Sequence, residues 1–212
     1  MKKVILLMIL ALSTACSPPV TLQSTPEAIR IFASDITQPW LQTSYDCART
    51  LQIVLYRADS PAEAQINIRL GEPQSLNSLA FQIGQDDLLV VTNPQNPAKN
   101  LSPAQVRKIF SQTSDEETLV WVFAPESDVQ EIFSREVLQD SRVTSLARLA
   151  LSPEQMQAAI GKDQNSVGIL TRHWLTNSQQ VVFSIDNIPV LALTPSEPVG
   201  AIKNLIACLQ KK

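Results

Sequence analysis

The sequence predicts an α/β protein built as two lobes, and three observations carry that reading. Residues 29–70 run strand, helix, strand, turn, strand, the order of an α/β unit with parallel strands. An apolar run at residues 88–91 (LLVV) closes on Thr92, Asn93 and Pro94 and passes through a proline-rich connector before a capped helix, as a chain does on leaving one folding unit for another. Residues 181–185 (VVFSI) then offer a path back, so the join between the lobes is expected to have two strands.

The first residues set the compartment. Lys2 and Lys3 precede a short apolar stretch, residues 4–12, and then Ser13, Thr14 and Ala15 lead to Cys16. This is the layout of an export signal, too short to span a bilayer as a stable helix. A cysteine directly after small residues points to a lipoprotein signal, with residues 1–15 removed and Cys16 carrying the lipid. An ordinary secretory signal with an incidental cysteine is the weaker reading, because residues 16–27, rich in Ser, Pro and Thr, read as a flexible tether. The expected location is outside the cytoplasm, anchored to a bacterial membrane.

The elements follow from period and punctuation. Residues 29–33 (IRIFA) form a short strand, broken at 34–39. A helix over 39–51 puts Trp40, Leu41, Ser44, Cys47, Ala48 and Leu51 at helical spacing. Residues 52–56 (QIVLY) and 64–70 (AQINIRL) are strands about a turn opened by Ser60 and Pro61. Ser102, Pro103 and Gln105 are an N-cap, a first-turn proline and the third-position partner of a capping box for a helix to about residue 112. Residues 119–123 (LVWVF) are the most strand-like in the chain, and a helix carrying Val129, Ile132, Phe133 and Val137 begins at the polar cluster after them. A helix over 152–160 is expected to end at Gly161 as its C-cap, before a strand at 166–170 (SVGIL). Two apolar strands, 181–185 and 188–193, and a helix over 199–209 close the chain.

Charge and cysteines narrow the function. Loss of Lys2 and Lys3 with the signal takes the net charge from −3 to −5, and without basic runs nucleic acid is not the expected partner. Once Cys16 is lipidated, Cys47 and Cys208 remain, an even pair in a compartment where disulfides persist. Pairing requires the first and last helices to lie side by side; two buried free thiols are the alternative, and the residues leave both open. His173 is the only histidine, so no metal site is expected. No strained nucleophile turn accompanies it, and an enzyme is not expected. No cofactor is implied.

Residues 93–110, with LSPAQVRKIF at their end, resemble the lobe-crossing segment of phosphate-type periplasmic substrate-binding proteins. Residues 124–133 (APESDVQEIF) are similar to that family's second-lobe anion loop and following helix, and 162–170 (KDQNSVGIL) to its approach to the return crossing. The resemblance implies a bilobal type II periplasmic-binding-protein-like fold, two α/β lobes joined by a two-stranded hinge, with a small ligand in the cleft. Lobe one is then expected at 28–88 and 182–212, and lobe two with the crossings at 89–181. The first and last helices both fall in lobe one, as a Cys47 to Cys208 bridge requires.

Ser34, Asp35 and Thr37, between the first strand and first helix, and Glu126, Ser127 and Asp128, before the second-lobe helix, are the expected ligand-binding residues, with Arg69 at a strand end as a further candidate. Helix starts offer unpaired N–H groups and the hydroxyls add neutral donors, which suits anions. Ser34, Asp35 and Ser127 are equally expected as plain N-caps. The family's arginine and glycine-rich loop has no counterpart in Pro125, Glu126, Ser127 and Asp128, whose two carboxylates oppose phosphate. The expected function is lipid-anchored capture of a small ligand, phosphate or another oxyanion, for an ABC-type permease. The alternative is a binding-protein fold that has lost transport and serves as a sensor or interaction module at the envelope.

Overall fold

The computed structural model describes residues 28–75, 77–112, 118–139 and 141–211. The signal, Cys16 and the tether lie outside the described residues. The described residues form eight strands and five α-helices, in the order β1 (Ala28–Ala33), α1 (Gln38–Leu51), β2 (Val54–Arg57), β3 (Ile66–Leu70), β4 (Leu79–Thr92), α2 (Pro103–Ser111), β5 (Leu119–Val122), α3 (Asp128–Phe133), β6 (Arg148–Leu149), α4 (Pro153–Lys162), β7 (Ser166–Thr171), β8 (Gln180–Thr194) and α5 (Gly200–Leu209).

The strand order is β2-β1-β3-β8-β4-β7-β5-β6. Read from either end it is the same motif: a first strand flanked by two parallel neighbours, then a long antiparallel strand. β1 with β2 and β3 makes one half, and β5 with β6 and β7 the other. The long strands β4 and β8 pair with each other from Leu79 opposite Thr194 to Thr92 opposite Gln180, so each belongs to both halves. That is a bilobal fold with a two-stranded hinge.

The crossing differs from the expectation in where it lies. β4 begins at Leu79, nine residues before the apolar run, and itself carries the chain between lobes; the prolines follow it, at its far end. The apolar strands expected at 181–185 and 188–193 are likewise one strand, β8, interrupted at the waist. There Asp86 faces Ile188 and Leu88 faces Ile185, which leaves one extra residue on β8. Asn187 takes the left-handed conformation, φ 61°, that the bulge requires. The Asp87 carboxylate holds the bulge in place, accepting the Asn187 N–H at 2.9 Å and the Arg172 guanidinium.

One hydrophobic core runs through both lobes and the hinge strands between them. Ile29, Ile31, Ile66, Ile68 and Leu70 are at most 1% exposed and pack under α1 and α5, and each such side chain contributes about 2 kcal/mol on burial. The Cys47 and Cys208 sulfurs are bonded at 2.03 Å, joining α1 to α5. In the other lobe Phe110 and Phe133 meet edge to face at 4.7 Å, and Ile132, Leu138, Met156 and Ile160 are at most 1% exposed. The capping box forms: Gln105 N–H donates to Ser102 Oγ and the Ser102 N–H to Gln105 Oε1. Gly161 is not a C-cap. It sits inside α4 with Asp163 as the cap, and a Cβ there would make only ordinary contact with Ser178, at 3.4 Å.

Candidate functional site

The parallel strands of both halves end at the same place, the crevice between the lobes, where α/β sheets bind ligands. A cleft of about 520 Å³ opens there. Lobe one contributes Ala33 at the end of β1 and Ser34 beyond it, Arg57 and Asp59 at the end of β2, and Asn67 and Arg69 on β3; lobe two contributes Phe123 and Glu126 beyond β5 and Leu151 beyond β6. Of the residues expected from sequence, Ser34, Asp35, Arg69, Glu126, Ser127 and Asp128 line this cleft. Thr37 does not. It is fully buried, and its hydroxyl lies 3.1 Å from the Ile68 carbonyl and 2.9 Å from Ser34 Oγ, bracing the loop from behind.

Asp128 is the centre of the site. Its side chain leaves lobe two and enters lobe one, where Oδ2 accepts the Ser34 hydroxyl at 2.7 Å and the Leu70 N–H at 2.8 Å; Oδ1 accepts the Val129 N–H at 2.9 Å. Burial pushes its carboxyl above the usual carboxylate range, against the opposing pull of the Leu70 and Ser34 hydrogen bonds, the charge of Arg69 and the Val129 N–H. One turn along α3, Glu131 makes a second bridge: Oε2 pairs with Arg69 at 2.9 Å and Oε1 accepts the Gln74 N–H at 2.9 Å. Beneath them Gly71, φ +64°, lets the backbone pass so close to Ile132 that a Cβ would lie 2.7 Å from its Cδ1. On the opposite side of the waist Trp174 Nε1 donates to the Ile36 carbonyl at 2.9 Å. The lobes are thus joined across the cleft by the protein's own groups.

The serines divide. Ser127 is an N-cap, its Oγ accepting from Gln130 N–H. Ser34 makes no capping bond and gives its hydroxyl to Asp128 instead. His173 Nδ1 lies 3.1 Å from Asp86 Oδ2 at the waist, with its ring 4.2 Å from that of Trp40. Sequence reasoning missed Arg57, Asp59 and Asn67. Arg57 and Asp59 were findable, because a parallel strand aims its last residues at the crevice, but β2 ends at Arg57, one residue beyond the strand as read.

No family model matches the chain, and no curated protein matches it by sequence. Solved structures do match in fold. A chain from Clostridium perfringens, assigned as a phosphate ABC transporter substrate-binding protein and holding phosphate, aligns with a TM-score of 0.76 at 14% identity, covering 86% of this chain and 93% of that one. An ABC-type phosphate transport receptor from Vibrio cholerae aligns at 0.67 with 16% identity and coverage of 86% and 93%. The CcmR regulatory domain of Synechocystis, in complex with 2-PG, aligns at 0.61 with 14% identity and coverage of 87% and 96%. The chain therefore has the bilobal fold of the type II periplasmic binding proteins, the architecture of phosphate-transport receptors and of regulatory domains alike.

Proposed function

We propose that this protein captures a small polar solute in the cleft between its lobes, outside the cytoplasm and anchored through a lipid on Cys16, and presents it to an ABC-type permease. The observation that carries this reading is the cleft of about 520 Å³ at which the strand ends of both lobes converge, since a ligand touching both lobes is what drives closure of such a fold. The fold neighbours from C. perfringens and V. cholerae support a solute-binding role. The lining sets the solute's character. The lining holds Arg57 and Arg69 together with Asp35, Asp59 and Glu126, and Arg69 is already held by Glu131. Such a lining favours a neutral or cationic polar molecule; phosphate and other oxyanions rank behind it.

The test is thermal unfolding of the purified protein against phosphate, sulfate, sugars and amino acids. A ligand at one hundred times its Kd adds about 2.7 kcal/mol and raises the midpoint by roughly 5–10 °C. Cys16→Ser is expected to move the protein from the membrane to the soluble fraction. A second reading is favoured by one observation, the Asp128 contact that joins the lobes without a ligand. On it the protein is a transport-inactive sensor or interaction module at the envelope, and silence across the whole panel is the result expected.

A further inference from the structure

We propose that Asp128 is the cleft's resident ligand: its carboxyl group fills a site built from lobe-one donors, so that the lobes close on a tethered acid and need no free one. The Ser34 N–H donates to the Ile68 carbonyl, the last rung between β1 and β3, and the chain then turns away toward α1. β1 has ended there, so the next donor on that side of β3, the Leu70 N–H, has no strand partner. A buried N–H requires an acceptor. In the structure that acceptor is Asp128 Oδ2, supplied from the other lobe, and the Ser34 hydroxyl converges on the same oxygen. Two donors from lobe one and the Val129 N–H thus surround one carboxyl group. This arrangement exists only while the lobes are together.

Tethering decides the competition. Asp128 is delivered by its own lobe at a high effective concentration and loses no translational freedom on docking, whereas a free acid must displace it. The inference rests on reading the cleft as the ligand site, and it assigns that site a built-in occupant.

Small-angle scattering and thermal unfolding test it in the purified protein. In buffer free of phosphate, the unmutated protein is expected to be compact already, with a radius of gyration that neither phosphate nor formate reduces. A protein that is open until an anion is added overturns the proposal. Asp128→Ala leaves the three donors unmet and is expected to expand, and to melt lower by about 5 °C. Sodium formate, which supplies a free carboxyl group to the vacated space, should restore both values, where sodium chloride at equal ionic strength does not. If Asp128→Ala folds only in formate, the yield reports the same rescue. Asp128→Asn keeps the shape and an acceptor oxygen, and should stay compact and ignore formate. An Asp128→Ala protein as compact as its parent and blind to formate overturns the proposal. The two readings separate. A panel ligand that stabilises the unmutated protein, with no formate response in Asp128→Ala, removes the resident ligand alone. Panel silence with a formate response removes the transport reading alone.

Discussion

The Ser34 hydroxyl donates to the Asp128 carboxylate at 2.7 Å across 94 residues of sequence, tying the first loop of one lobe to the first turn of α3 in the other. The oxygen that receives it also receives the Leu70 N–H. One side chain therefore joins three segments that the sequence keeps far apart, and its titration should be visible in the stability of the whole chain.

Asp128 predicts a pH dependence with a definite sign. Its native pKa is raised from the unfolded value of 3.8, chiefly by burial. The native state then holds the proton more tightly than the unfolded state does. The stabilisation due to this group is fully present below pH 3.8 and is lost as pH rises through the raised native value. Asp128→Asn cannot ionise, so its stability relative to the parent should climb through that window and level off above it. Urea denaturation from acid through alkaline pH measures the difference, and a difference that does not change with pH contradicts the assignment.

Gly71 gives a steric prediction at the same interface. Its φ of +64° disfavours any side chain, and a Cβ there would lie 2.7 Å from Ile132 Cδ1. Gly71→Ala should cost about 2 kcal/mol, half from the backbone and half from the contact. Ile132→Val removes the opposing methyl, so the double variant should be less destabilised than the sum of the two single ones. Simple additivity would mean that the contact contributes nothing.

Much of this was legible in the sequence, and the rest was hidden for physical reasons. The capping box at Ser102 and Gln105, the α/β order and the two-stranded hinge are local or periodic signals, which residues report directly. The true length of β4 was obscured because residues 79–87 alternate weakly and are half-exposed, with only Ile83 and Asp86 buried. β6 is two residues long and carries no pattern of its own. Ser34 and Ser127 look alike as serines before helices, yet one caps and the other crosses the cleft. That distinction depends on Leu70 N–H being left over where β1 ends, a fact of tertiary pairing.

The disulfide predicts a response to reduction. Cys47 and Cys208 are 161 residues apart, so the bond closes a loop that includes nearly the whole fold. Constraining so long a loop in the unfolded chain is expected to stabilise by about 2–5 kcal/mol. The purified protein should show no alkylation of either cysteine without reductant, and a melting point lowered by roughly 5–15 °C with it. Labelling of both thiols in the unreduced protein contradicts the bond.

The hinge carries a charge with the opposite sign of pH dependence. Asp87 lies on β4 at the bulge, and its native pKa is lowered, first by the Asn187 N–H and then by the Arg172 side chain. Its contribution is therefore present above pH 3.8 and disappears as pH falls through the lowered native value. Asp87→Asn should be less stable than the parent at neutral pH and converge with it in strong acid, whereas Asp128→Asn converges toward constancy on the alkaline side. The two titrations act on different parts of the molecule, one at the waist where β4 and β8 bend, the other where the lobes meet. Asn187→Gly, which relieves the left-handed φ of 61° without touching the N–H that Asp87 accepts, should keep the Asp87 titration unchanged. A loss of that titration in Asn187→Gly would show that the bulge, and not the carboxylate alone, sets the pKa.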